Sequence, residues 1–215
     1  MNKYFKDILN NSQFTMISGK TNSGKTRFLM WLAALCSENN KVLYISTEMS
    51  ERHVINNFSP LLNVDLHKKW IRTARKLKMD RIKGNIEYKN IPGIVIKHTQ
   101  YVDDIKKLVG DYDVVVIDSI YNLILEKDRR LYSYKEQNDF INIFTGKVII
   151  SSQLYRNGDI LTSSFPMKLF TNSDSVFSIE KEDNFLLSKI ECHKNRYLPI
   201  GLVPKKFDLS KMNFV

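Results

Sequence analysis

Cysteine is nearly absent from this chain, and long apolar runs are absent altogether. Cys36 and Cys192 are the only cysteines among 215 residues. They lie far apart with no CxxC spacing, which argues against a disulfide scaffold or a cysteine zinc site. Four histidines, His53, His67, His98 and His193, share no metal-ligand spacing. No segment reaches the roughly 18 apolar residues that a membrane span needs. Met1 to Asp7 hold no apolar leader core. No repeat, low-complexity tract or linker divides the chain. These absences predict a soluble, cytoplasmic protein, with no membrane association and one domain over 1–215 that includes a short N-terminal extension over 1–13.

Hydrophobic residues make up 43% of the chain, enough for a proper core. Thirty-three Lys and Arg against 23 Asp and Glu give a net charge of +10. That surplus points to a polyanionic partner, nucleic acid first among them.

Apolar runs and amphipathic stretches alternate. Phe14 to Ser18, Lys41 to Ser46, Ile94 to Ile96, Val114 to Ile117 and Lys147 to Ser152 read as buried strands. Arg27 to Ser37 reads as a helix with Phe28, Leu29, Leu32, Leu35 and Cys36 on one face. Glu51 to Lys83, Val102 to Val109 and Tyr134 to Ile143 read as helical, the first of these broken at Pro60. Ser175 to Glu180, Phe185 to Cys192 and Leu198 to Phe207 read as strands joined by polar turns. The expected fold is α/β: a mainly parallel central sheet flanked by helices and extended by C-terminal antiparallel strands.

Gly19-Lys20-Thr21-Asn22-Ser23-Gly24-Lys25-Thr26 matches GxxxxGK[ST]. A strand precedes it and a helix follows, as the motif requires. Glycines let backbone N–H groups wrap a phosphate, and the helix N-terminus adds a favourable dipole. Lys25 is expected on the β- and γ-phosphates of ATP, and the Thr26 hydroxyl on Mg²⁺. Asp118 ends the Val114–Ile117 run, where an acid at the ligand edge of a parallel sheet can hold the metal. Glu48 follows the second strand at the same edge. It is the candidate general base for the attacking water; its competing reading is a helix cap.

Several segments together resemble the motor domain of DnaB-type replicative helicases. They are Ser46-Thr47-Glu48-Met49-Ser50, Asp118 to Ile124, Ser152-Gln153-Leu154-Tyr155-Arg156, and Lys194-Asn195-Arg196 running on to Asp208. RadA-type recombination ATPases share a similar Lys-Asn-Arg element. The resemblance implies a RecA-like P-loop ATPase. It implies that Gln153 senses the γ-phosphate and that Lys194 and Arg196 act as fingers on a neighbouring subunit's nucleotide, within a homo-oligomeric ring or filament on single-stranded DNA. Two residues apart on a strand, those cations project from one face. Partner proteins of replication or recombination are implied in the same way. The chain departs from the family pattern in having Tyr197-Leu198 where Gly usually follows the pair. Only 13 residues precede the first strand, where the helicases carry an N-terminal domain and a linker helix; Lys3 to Leu9 reads as a short helix in that place.

Two segments are candidates for DNA contact. One holds Lys127, Arg129, Arg130 and Tyr132, cations with interleaved aromatics suited to backbone neutralisation and base stacking. The other, after Gln153, holds Tyr155 and Arg156. The leading expectation is an ATP-driven helicase or translocase motor. A filament-forming recombination ATPase is the nearest rival, and an ATP-gated DNA-binding adaptor or a small-molecule P-loop kinase fits less well.

Overall fold

The computed structural model describes residues 2–58, 93–125, 130–131, 133–153, 167–182, 186–199 and 206–215. Nine strands form one sheet in the order β11-β10-β9-β8-β1-β7-β4-β2-β3. Their ranges are β1 Phe14–Gly19, β2 Val42–Ser46, β3 Ile94–His98, β4 Val114–Asp118, β7 Lys147–Gln153, β8 Ser175–Lys181, β9 Leu187–Asn195, β10 Lys206–Asp208 and β11 Asn213–Phe214. β3, β2, β4, β7, β1 and β8 run parallel, and β9, β10 and β11 add antiparallel pairings. β5 Ile124–Leu125 and β6 Arg130–Leu131 make a separate two-stranded ribbon.

Strand side chains alternate between faces, so the central strands feed two cores. Ile17, Tyr44, Val114, Val116 and Phe177 lie with helices α1 Asn2–Asn11, α2 Lys25–Cys36 and α3 Glu51–Phe58. Met16, Leu43, Ile45, Val115, Ile117 and Ile150 face the other way, toward α4 Val102–Leu108, α5 Tyr134–Ile141 and α6 Met167–Asn172. Burial on both faces is the reason these strands are nearly uninterrupted runs of Val, Ile and Leu. Among the described residues no helix is long and apolar enough to cross a membrane.

The sequence pattern suggests one apolar face for α2. Instead Phe28 through Ala33 are all buried, with Leu35 and Cys36. The sheet covers one side of α2, and an aromatic cluster covers another. Phe28 and Trp31 meet Phe5 of α1 at 5.6 and 5.3 Å between ring centroids, and Phe207 of β10 at 5.3 and 5.8 Å. Phe5 stacks on Phe214 of β11 at 5.2 Å. The N-terminal helix and the C-terminal hairpin thus close over α2 together.

Of the strand expected over Leu198–Phe207, residues 200–205 fall outside the described residues. Asn195 Oδ1 accepts hydrogen bonds from the backbone N–H groups of Tyr197 and Leu198 at 2.9 and 3.1 Å, an Asx turn that ends β9. Pro199 follows, and Lys206 and Phe207 lie in β10. Of the helix expected over Glu51–Lys83, the first eight residues lie in α3, and the remainder falls outside the described residues.

Candidate nucleotide site

The parallel register fixes what meets at the carboxyl edge of the sheet. Gly19 at the end of β1 pairs with Gln153 at the end of β7. Ser46 at the end of β2 pairs with Asp118 at the end of β4. The four strand ends therefore form a row, and the Gly19–Thr26 loop and Glu48 continue from two of them.

The loop has the backbone its glycines permit. Asn22 and Gly24 have φ of 62° and 99°, a left-handed region open to Gly and tolerated by Asn. A Cβ on Gly24 would lie 2.4 Å from Leu209 Cδ2, and one on Gly19 would lie 2.5 Å from the Ile179 carbonyl oxygen. Both positions need Gly because neighbouring chain occupies the space. α2 begins at Lys25, so its first amides face the loop. The Lys25 ammonium donates to the carbonyls of Gly19 and Lys20 at 2.9 and 2.7 Å. Burial lowers its pKa, while the charges of Asp118 and Glu48 act in the opposite sense. Lys25 thus sits within the field of both carboxylates.

Asp118 is 6% exposed. One carboxylate oxygen accepts from the Ser151 hydroxyl at 2.6 Å and the other from the Tyr44 hydroxyl at 3.1 Å. Tyr44 is fully buried, and its pKa is raised by burial and by the Asp118 charge it leans on. Each oxygen keeps acceptor capacity beyond its one hydroxyl partner. An anionic carboxylate with spare lone pairs beside a phosphate cradle suits a hard, oxygen-binding divalent cation that shares its shell with phosphate. Among the described residues no cluster of three or more acidic, His or Cys side chains offers a self-contained metal site. Asp118 and Thr26 are the side chains at this edge that could share such a cation with a nucleotide's phosphates.

Glu48 extends from the end of β2 into solvent, and its Oε1 accepts from the Asn122 side-chain amide at 2.8 Å. Thr47, fully buried, accepts from the backbone N–H of Ser119 at 2.9 Å and so ties the two loops together. Gln153 is half-buried, and its carbonyl accepts from the Tyr121 hydroxyl at 3.2 Å.

Lys194 and Arg196 stand elsewhere. β9 runs antiparallel to β8, so Ser188 meets Lys181 near the loop while Asn195 meets Ser175 at the far edge. The Ser188 hydroxyl donates to the Ser23 carbonyl at 2.8 Å. Lys194 lies six residues further on, roughly 20 Å along an extended strand. Its ammonium donates to the Phe170 and Thr171 carbonyls at 2.9 and 2.7 Å, and the Arg196 guanidinium to Thr171 at 3.2 Å. Arg196 also pairs with Asp174 at 3.2 Å. Both cations rest on the carbonyl end of α6.

Tyr44, Ser151, Asn122 and Tyr121 are site residues that the motif reading passes over. Ser151 lies within the strand read as buried, next to Ser152-Gln153, and Tyr121 and Asn122 fall inside the quoted Asp118–Ile124 segment. Tyr44 alone carried a signal of its own, as a polar-tipped residue inside a strand that is otherwise apolar. Lys127, Arg129, Tyr132, Tyr155 and Arg156 lie outside the described residues. The backbone of Arg130 lies in β6.

Residues 1–144 match the family model described as the KaiC ATPase. No curated protein matches the chain. Solved structures that share the fold include an ATPase domain at 20% identity and TM-score 0.63, covering 94% of this chain and 84% of that one. A DnaB-like replicative helicase, whose structure addresses its interactions with primase, aligns at 18% identity and TM-score 0.64 over 94% of this chain. This chain spans only 58% of that helicase. The RadB recombinase aligns at 16% identity and TM-score 0.56, covering 93% of this chain and 88% of that one. The mostly parallel sheet, the phosphate loop and these neighbours are those of a RecA-like P-loop ATPase.

Proposed function

This chain belongs to the KaiC family of ATPases, and from that premise we propose that it is an ATP-driven motor that acts on single-stranded DNA in the cytoplasm, each active site being completed by a neighbouring copy. One observation carries the second half of this reading. Lys194 and Arg196 sit at the sheet edge opposite their own phosphate loop, too far to reach a nucleotide bound there.

The site residues take the following roles. Backbone amides from Gly19 to Thr26 cradle the phosphates, and Lys25 leaves its carbonyl partners for the β- and γ-phosphates. Thr26 and Asp118 would hold a Mg²⁺ ion, which would supply charge neutralisation at the phosphates. Glu48 accepts the proton of a water whose oxygen bonds to the γ-phosphorus, while the bond from that phosphorus to the β-bridging oxygen breaks and ADP departs. Gln153 hydrogen-bonds the γ-phosphate and relays its presence to the segment that follows. Lys194 and Arg196 release the carbonyls of α6 and stabilise charge on the neighbour's phosphoryl group.

The DNA half of the proposal is supported by the net charge of +10 and by likeness to a DnaB-like replicative helicase. The similarity to RadB, which covers more of that protein's length, favours a filament-forming recombination ATPase as the second reading. Partners in replication or recombination belong to both.

Light scattering with single-stranded DNA and a non-hydrolysable ATP analogue separates them. A closed ring of fixed mass supports the motor, and a size distribution that grows with DNA length supports the filament. A monomer under every condition would sink the shared active site.

A further inference from the structure

Glu48 is a solvent-exposed carboxylate on a long side chain. A general base must hold one oxygen within hydrogen-bond reach of its water, and an unrestrained Glu spreads over several rotamers. Among the described residues the Asn122 amide restrains it, 2.8 Å from Oε1. A carboxylate can only accept, so the amide nitrogen is the donor. Oε2 keeps its lone pairs for a water.

Asn122 is itself firmly placed. It closes the 3₁₀ turn Ile120–Asn122, which directly follows Asp118 and Ser119. Ile120 before it and Leu123 after it are both fully buried. The Ser119 hydroxyl accepts from the Tyr121 backbone N–H, capping the turn. The Tyr121 hydroxyl donates to the Gln153 carbonyl and accepts from the Ser152 hydroxyl, both at 3.2 Å. One short turn thus joins Glu48 through residue 122 to the end of β7 through residue 121. Lys25 and Tyr44 are the titratable groups that feel the Glu48 charge, and Asp118 acts on both of them as well.

We propose that Asn122 is the positioning residue for Glu48: its amide fixes one carboxylate oxygen so that the other faces the attacking water, and the Tyr121–Gln153 contact holds that arrangement in register with β7. The proposal rests on the reading of Glu48 as the general base.

The test measures steady-state ATP hydrolysis by the full chain with Mg²⁺ and saturating single-stranded DNA, together with binding of a fluorescent ATP analogue. Asn122→Ala removes the donor. Its kcat is expected to fall roughly ten- to a hundredfold, the scale of a misplaced reacting group, with KM and analogue binding unchanged. Asn122→Asp sets a second carboxylate against the first, and like charges at that range resist joint ionisation. The acid limb of its kcat–pH profile is expected about one pH unit higher than in the wild type. Wild-type kcat in Asn122→Ala, or an unshifted limb in Asn122→Asp, would overturn the proposal. So would loss of analogue binding in step with turnover, which would mark a structural residue. Glu48→Gln separates the two ideas. If it retains turnover, the base assignment fails and takes this inference with it. If it is inactive while the Asn122 variants behave as wild type, the positioning role alone fails.

Discussion

Tyr44 Oη donates to Asp118 across 3.1 Å, the tyrosine fully buried and the carboxylate 6% exposed. The contact spans adjacent parallel strands and supplies one of the two hydroxyl partners of the Asp118 carboxylate. Tyr44→Phe keeps the ring, its packing on Phe58 included, and removes the donor alone. Leaving a buried acceptor without its partner costs about 1–3 kcal/mol, so chemical denaturation should show a loss on that scale. The Mg²⁺ concentration that gives half-maximal turnover should also change if Asp118 binds the metal as proposed, because its carboxylate is less firmly aimed.

Lys25→Ala should reduce phosphate release below detection, a loss of about a thousandfold or more on the scale of removed transition-state charge stabilisation. The ammonium ties the end of the loop to the Gly19 and Lys20 carbonyls at its start, so weakened binding of a nucleotide analogue should accompany the loss. Retained hydrolysis would remove the phosphate loop from the reaction.

Arg196→Ala breaks a half-exposed ion pair with Asp174. The guanidinium is half exposed, and the buried Asp174 carboxylate keeps the Gln13 and Phe14 backbone N–H groups on its other oxygen, so the melting temperature should fall only slightly. Turnover should fall about tenfold or more, while analogue binding stays as in the wild type. Mixing Arg196→Ala with Lys25→Ala should recover part of the activity, since each variant supplies what the other lacks. No recovery would leave the cations without a role on a neighbour's nucleotide.

Both thiols should be silent in the folded protein. Cys36 and Cys192 are buried; burial pushes the Cys36 thiol up to about 12 and raises that of Cys192. A thiol reagent at pH 8 should label neither until denaturant is added; labelling of native Cys36 would contradict the packing of α2, and of native Cys192 that of β9. The pH dependence follows in sign. The unfolded thiol releases its proton near 9 and the folded one only near 12, so the unfolded state binds fewer protons in that window. The Cys36 contribution to stability is therefore flat below about pH 9 and falls as pH climbs from there toward 12.

The sequence shows the sheet and its phosphate edge well because both are written locally. Val114 to Ile117 can only be a strand covered on two faces, and Asp118 directly after it must lie at the sheet end. What stayed hidden are pairings across the parallel register. Tyr44 with Asp118, and Glu48 with Asn122, are each separated by 74 positions, joined by crossovers whose length says nothing about side-chain aim. Leu198, apolar and read as a strand start, lies instead in a turn, because Asn195 turns the backbone through its own carboxamide. α2 looked one-sided because the rings that cover its other flank come from Phe5, Phe207 and Phe214, at the two far ends of the chain.

The separation of phosphate loop and cations to opposite sheet edges has an arithmetic of its own. Where one copy's cations complete the next copy's site, the contact is head-to-tail. A single copy then has no complete site, and an open row always leaves one loop at its end unserved. Only closure brings every copy into use. Activity per copy should accordingly climb with protein concentration and level off, and the shape of that climb would count the copies in a working assembly.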